Sequence, residues 1–280
     1  MIHLPTLLLA AAAAAVSALP TAPLTPRSAV FENSIITNPS ALAWYDASQG
    51  SGAGGSSSSN SAVTAITSDT TTSGNTGTTS TYTCFTTATF PPLTSWASFA
   101  TLWTAAAPGI AAANANAAAL AGSSSSSSGT TASTLTQTLH AKITAISALT
   151  SLDPRLVLAT VLQESNGRLD VPCTGTSNCG IMQAAPGSAS FDAARPAASI
   201  EQMLRDGVQG VAGSWPDGGP GLAYWMGVYG DPWRALRAYN TGSVPDAGDL
   251  SATGGWGTAS YVVDVANRLV GWDGVTRGSC

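Results

Sequence analysis

The spacing of apolar residues predicts helices throughout the second half of the chain. From residue 134 onward, Leu and Ile recur at intervals of three and four, which places them on one face of an α-helix, and 258–269 shows the same stripe. Only 170–190, with its Gly and Pro residues, favours turns or a small hairpin. The apolar positions are Leu135, Leu139, Ile143, Ile146 and Leu149 in the first helix and Tyr261, Val262, Val265 and Leu269 in the last.

Start and stop residues mark the helices between these two. Asp153 followed by Pro154 is an N-cap with proline at the first helical position, so a helix is predicted over 155–166, ending at Gly167. The fold class expected for 134–280 is therefore α+β, mainly α. The other predicted helices are 199–206 before Gly207 and 233–240, which follows Asp231-Pro232 and precedes Gly242.

An apolar segment upstream of this region predicts one more short helix. Its large residues run from Trp96 to Trp103, with Thr94 or Ser95 as N-cap and Pro108-Gly109 beyond its end. We expect these side chains to pack on the later domain; the alternative is a platform on which sugars stack.

The N-terminal part of the chain has a different composition. An apolar run ending at Ala18 predicts a signal peptide over 1–18, too short to span a membrane, and no later stretch is apolar enough to do so. More than half of residues 51–80 are Ser or Thr, so 19–83 is expected to be a disordered Ser/Thr/Gly-rich region. A lead-in helix and a low-complexity insert at 123–128 occupy 84–133.

Charge and cysteine content bear on the expected partners and on the presence of disulfides. A net charge of −5 with scattered Lys and Arg argues against nucleic acid as a partner. Four cysteines in an exported chain predict two disulfides: Cys173–Cys179 across a short loop, which leaves Cys84–Cys280. Zinc is the alternative, but the mature chain has only one histidine, and neither a metal nor another cofactor is expected.

Glu164 is the candidate catalytic residue. It follows the apolar run Leu156 to Leu162, which must be buried, so its carboxyl emerges at the end of a core helix. Burial and the helix dipole both disfavour the ionised carboxylate, which suits a general acid. The alternatives are a surface glutamate or an ion pair with Arg168.

Four short segments, in this order and spacing, resemble the soluble lytic transglycosylase (SLT) domain of glycoside hydrolase family 23, which includes the goose-type lysozymes. The resemblance covers about 140–273, and the segment 96–103 resembles the lead-in of fungal secreted relatives. It departs at Ile181, where the family usually has Leu, and in a shorter segment after Gln183. The segments are Glu164-Ser165, Gly180-Ile181-Met182-Gln183, Ala238-Tyr239-Asn240-Thr241-Gly242 and Tyr261-Val262.

The resemblance implies a lysozyme-like fold with Glu164 as the only essential acid/base. It further implies that Ser165 hydrogen-bonds the sugar, that Met182 gives it apolar contact and that Gln183 binds or positions an amide. For Met182, ordinary packing is the alternative.

The same resemblance assigns the opposite wall of the cleft. It implies that Tyr239 hydrogen-bonds the Glu164 carboxyl or the substrate carbonyl and that Asn240 holds backbone. Tyr261 would be the last aromatic residue of the cleft, or else a core tyrosine.

These expectations favour a secreted, monomeric enzyme that cleaves β-1,4 bonds of peptidoglycan, located outside the cell or at the cell wall. A Ser-His-Asp or Cys-His hydrolase is set aside because His140 is the only mature histidine and lies on a helix among apolar residues. The alternatives are a catalytically idle glycan-binding or wall protein and a chitin-directed hydrolase. A second carboxylate facing Glu164 would have to come from Asp170, Asp192 or Asp206, of which Asp206 is expected in a solvated role.

Overall fold

The computed structural model describes residues 79–123, 129–175, 177–212 and 217–280. The predicted signal peptide, nearly all of the Ser/Thr/Gly-rich region and residues 124–128 of the low-complexity insert lie outside these residues. The α-helices are α1 Phe99–Ala113, α2 Ala115–Gly122, α3 Ala132–Thr150, α4 Pro154–Ser165, α5 Pro196–Val208, α6 Leu222–Tyr229, α7 Pro232–Thr241 and α8 Tyr261–Leu269. A 3-10 turn covers Leu93–Ser95, and strands β1 Gly210–Val211 and β2 Gly219–Pro220 form one antiparallel pair.

Two of the predicted helix starts are confirmed by their caps. The Asp153 carboxylate accepts a hydrogen bond from the Arg155 backbone N–H at 2.9 Å, which begins α4. Asp231 accepts from the N–H groups of Trp233 and Arg234, both at 3.2 Å, and so begins α7.

Other helix boundaries differ from the prediction. The cap of α1 is Ser98, whose hydroxyl accepts from the Thr101 N–H at 3.1 Å, and Pro108 lies inside the helix. Gly207 does not end α5. Its role is close packing, because a Cβ there would lie 2.5 Å from the side chain of Met182.

The core surrounds α4, whose residues from Pro154 to Val161 are all buried. Helices α1, α3 and α8 pack directly against it. The upstream aromatic segment packs on this core, as expected, although Trp103 at its end stays partly exposed. Trp96 is 1% exposed and stacks its indole on the Arg155 guanidinium at 5.0 Å. The predicted mainly helical composition is confirmed, and no helix among the described residues is long and apolar enough to cross a membrane.

Both predicted disulfides are present, Cys173–Cys179 and Cys84–Cys280. The second joins the first described residues to the last. Beside it, buried Asp264 on α8 accepts a hydrogen bond from the Tyr82 hydroxyl at 2.6 Å and pairs with Arg277. Both ends of the described chain are therefore attached to α8.

Removal of the Cys84–Cys280 bridge by C84S/C280S is expected to lower the free energy of unfolding by about 2–5 kcal/mol, because it closes a long loop in the unfolded chain. Denaturant titration of the variant and the parent under non-reducing conditions measures the change. An unchanged midpoint would show that the bridge does not constrain the unfolded state.

Candidate active site

The Glu164 carboxyl lies on the last turn of α4, where the helix leaves the core. Residues before it are buried, whereas Glu164 itself is only partly buried. Its Oε1 accepts a hydrogen bond from the Tyr261 hydroxyl at 2.5 Å. The predicted alternative of an ion pair with Arg168 is wrong, because Arg168 pairs with Asp170 at 2.7 Å.

Burial raises the pKa of Glu164 to about 7, and the hydrogen bond from Tyr261 acts in the opposite direction. No Lys or Arg in the described part of the chain forms an ion pair with this carboxyl. The group therefore stays largely protonated up to neutral pH. It has the chemistry of a proton donor that can become a proton acceptor.

Two tyrosines share the surroundings of this carboxyl. Tyr261, at the first position of α8, contacts it directly, whereas the Tyr239 hydroxyl donates to the Met182 carbonyl at 2.7 Å. Of the two partners expected for the Tyr239 hydroxyl, the Glu164 carboxyl and the substrate carbonyl, the first is contacted by Tyr261 instead. Burial, and after it the charge of Glu164, raise the pKa of both phenols well above the usual range. Both phenols therefore remain neutral donors.

The turn that contains Gly180 to Gln183 forms a wall beside α4. Met182 is fully buried on Gly207, so its side chain packs in the core and does not face a sugar, and its carbonyl holds Tyr239. The predicted apolar contact from Met182 to a pyranose is therefore replaced by the packing alternative. A side chain at Gly207 would displace this turn.

The Gln183 side chain holds the neighbouring disulfide loop. Its Oε1 accepts from the Thr174 N–H at 2.8 Å, and its Nε2 donates to the carbonyls of Gly180 at 2.9 Å and Pro172 at 3.2 Å. Both ends of the amide thus have protein partners, and its backbone φ is +44°. Gln183 links the Cys173–Cys179 loop to the turn beside Glu164.

Ser165 and Asn240 also position backbone. The Ser165 hydroxyl lies 2.9 Å from the Ile181 carbonyl and 3.0 Å from that of Val161, which ties the end of α4 to the turn. The Asn240 Oδ1 accepts from the Thr258 N–H at 2.9 Å, so it fixes the loop that leads into Tyr261. The Ser165 hydroxyl, which the resemblance implies would bind the sugar, thus has protein partners, and the Asn240 side chain holds backbone.

Arg237 is a positioning residue that the sequence analysis missed. It is fully buried on α7 and donates from Nε to the Leu250 carbonyl at 2.8 Å and from Nη2 to that of Ala259 at 3.0 Å. These bonds fix the loop before Tyr261. The residues three and four positions away from Arg237, which share its helix face, are mostly polar, so the sequence carried no signal of this burial.

The other carboxylates considered near Glu164 are all engaged. Asp170 pairs with Arg168, and Asp192 pairs with Arg195 at 2.9 Å. Asp206 is not solvated, which corrects the expectation: it is 7% exposed and accepts from the Ala189 N–H and from Gln202, both at 2.7 Å. Burial raises its pKa, and its charge contributes to the raised pKa of Tyr239.

Among the described residues, no group of three or more His, Cys, Asp or Glu side chains is arranged to hold a metal ion. Comparisons with protein-family models, with curated proteins and with solved structures found no significant match to this chain.

Proposed function

We propose that this protein is a secreted enzyme that cleaves β-1,4 glycosidic bonds of peptidoglycan, as a lytic transglycosylase or a lysozyme-type muramidase with a lysozyme-like fold. The observation that carries the proposal is the Glu164 carboxyl, with its pKa raised to about 7 and its Oε1 held by Tyr261 at the open end of a buried helix. A protonated acid in such a position suits glycosidic bond cleavage at neutral pH.

In the first step, neutral Glu164 donates its proton to the glycosidic oxygen as the bond from that oxygen to C1 breaks. The leaving sugar departs as an alcohol, and Glu164 becomes a carboxylate. The Tyr261 hydroxyl, already on Oε1, stabilises that negative charge. The neutral phenol of Tyr261 is kept as the donor by its own raised pKa.

In the second step, the positive charge developing at C1 is met by the substrate. The oxygen of the 2-acetamido group attacks C1, and the 6-hydroxyl of the same sugar then displaces it while the Glu164 carboxylate accepts the hydroxyl proton. This route needs one protein carboxyl, which agrees with the prior engagement of Asp170, Asp192 and Asp206 by protein partners.

Two alternatives come from the same residues. An idle glycan-binding or cell-wall protein would not need a carboxyl held neutral at the end of a buried helix, so the raised pKa of Glu164 favours the enzyme. A chitin-directed hydrolase would use the same acid on a polymer that also carries 2-acetamido groups.

Secretion is supported by the two disulfides, which persist in oxidising compartments.

Incubation of the purified protein with peptidoglycan sacculi and, separately, with chitin oligomers tests the proposal. We expect soluble fragments from peptidoglycan. Release from chitin alone would favour the chitin-directed alternative, and release from neither would leave only the binding protein.

The mass of the released fragments reports the second step. Attack by the 6-hydroxyl gives a 1,6-anhydro end, so we expect products lighter by one water than the hydrolysis products of the same bond. Mass spectrometry of the digest distinguishes them. A digest containing only reducing-end sugars would contradict the single-carboxyl route and direct attention to D170N, D192N and D206N.

A further inference from the structure

A cavity of about 400 Å³ lies between α1 and α3 and shares no residue with the Glu164 site. Trp103, Ala107 and Ala111 line it from α1, at intervals of four residues on one helix face. Ser133, Gln137 and His140 line it from α3. The two alanines follow the tryptophan with side chains too small to fill the space between the helices, so an open depression remains. Its volume is in the range of small-ligand sites.

Aromatic rings form one wall of this cavity. The Trp103 indole and the His140 imidazole meet edge to face, with centroids 4.7 Å apart and planes at 71°, and the Phe99 ring lies 5.2 Å from the same imidazole. Trp103 is only partly buried, whereas Phe99 anchors the cluster in the core. The indole therefore packs against two rings while part of the Trp103 side chain stays accessible.

Polar groups without protein partners surround that wall. Among the described residues, the Trp103 indole N–H, the Gln137 amide, the His140 ring nitrogens and the Ser133 hydroxyl make no hydrogen bond. Gln137 and Ser133 are exposed, so their groups are accessible from solvent. None of the described residues that line the cavity is an aspartate, glutamate, lysine or arginine.

We propose that this cavity is a second carbohydrate-binding site, which holds one or two pyranose units of the glycan while Glu164 acts on another part of it. A ligand for this cavity must be neutral, must offer a flat apolar face to the indole, and must carry several hydroxyl or amide groups for the surrounding donors and acceptors. A pyranose has all three properties. The described lining offers no lysine or arginine to pair with a nucleic acid or an acidic ligand, and an aliphatic chain would leave the polar groups unpaired.

The identity of the sugar, an N-acetylhexosamine, follows from the proposed function; the existence of the site does not. The test uses the full-length protein carrying E164Q, so that the probe is not consumed. The probe is the β-1,4-linked hexamer of N-acetylglucosamine, and the readout is the indole N–H resonance of Trp103 in a two-dimensional NMR titration, assigned with Trp103→Phe. We expect this resonance to move saturably with the hexamer.

Variants then locate the contact. Gln137→Ala changes an exposed residue and should leave the fold intact while weakening the Trp103 titration. Trp103→Ala removes the indole resonance, so its titration is followed at the side-chain amide of Gln137, where hexamer binding should weaken by about tenfold or more. Thr144→Ala, an exposed change one turn beyond His140 on α3, is the matched control and should leave the titration unchanged.

The outcomes separate this inference from the proposed function. Three results would overturn the second site and leave the enzymatic proposal standing. The hexamer could perturb only residues around Glu164 and Tyr261, or it could perturb no residue. The third result is a Trp103 titration that does not change in Gln137→Ala. A saturable Trp103 shift in a protein whose wild-type form cleaves no glycan would support the second site and overturn the enzyme.

Discussion

Replacement of Glu164 by Gln is expected to lower turnover of peptidoglycan by about a hundredfold or more. The amide has the size of the carboxyl and can still accept the Tyr261 hydrogen bond through its oxygen, but it can neither donate nor accept the proton that the mechanism moves. Release of soluble fragments at pH 6, compared with the wild-type protein at equal concentration, measures the loss.

Glu201→Gln is the matched control for this experiment. Glu201 lies on α5 and pairs with Lys142 at 2.6 Å and Arg205 at 2.8 Å, so its loss should leave turnover unchanged. If E164Q retained near wild-type lysis, or if both variants lost activity equally, the assignment of Glu164 as the acid/base would be wrong.

The same replacement should also stabilise the folded protein, in a pH-dependent way. The folded-state pKa of about 7 exceeds the usual 4.5, so the wild-type fold is destabilised as pH rises through this window and the folded carboxyl is forced to ionise. E164Q removes that penalty, which reaches at most about 3 kcal/mol above pH 7 and vanishes below pH 4.5. Denaturant unfolding of both proteins at pH 4 and pH 8 detects the difference, and a less stable variant at pH 8 would indicate that E164Q disturbs the fold.

The rate of glycan cleavage is expected to fall as pH rises through about 7. The first step needs the protonated form of Glu164, so kcat/KM should lose about tenfold per pH unit above its pKa. A profile of kcat/KM against pH on soluble peptidoglycan fragments measures this fall. A rate that kept rising between pH 7 and pH 9 would contradict a carboxylic proton donor.

Tyr261→Phe should move the fall in kcat/KM to higher pH. The Tyr261 hydroxyl donates to the carboxylate and lowers the pKa of Glu164, so its removal leaves burial unopposed and raises the pKa further. Tyr239→Phe is the control, because the Tyr239 hydroxyl donates to the Met182 carbonyl and not to Glu164. In this variant the fall in kcat/KM should occur near the same pH as in the wild-type protein. If the fall in kcat/KM of Tyr261→Phe occurred at the same pH or at a lower pH, this hydrogen bond would not lower the pKa of Glu164.

The parts of the fold that the sequence predicted are those with strong local signals. Asp153 and Asp231 each precede a proline and each cap a helix, and such a cap depends only on residues next to one another in the chain. Helix α2 was missed because its sequence, largely alanine, offers no contrast between apolar and polar faces. The two-residue strands carry too few residues to show any period.

The site was predictable as far as the helix that carries it. An apolar helix followed by a glutamate locates Glu164 without tertiary information. Which tyrosine reaches the carboxyl depends on how α7 and α8 pack against α4, and Tyr239 and Tyr261 are equivalent candidates until that packing is known. The burial of Met182 likewise depends on the absence of a side chain at Gly207, a contact between residues far apart in sequence.

The Cys84–Cys280 bridge turns the described domain into a covalent ring. A protease that cuts the exposed loop at 246–248 would open this ring without releasing either piece. The fragment with Glu164 and the fragment with Tyr261 would stay tethered at Cys84 and Cys280, with their shared hydrogen bond able to persist. Reduction after such a cut would remove the covalent tether, so the nicked protein would depend on the redox state of its surroundings to keep the two halves of its site together.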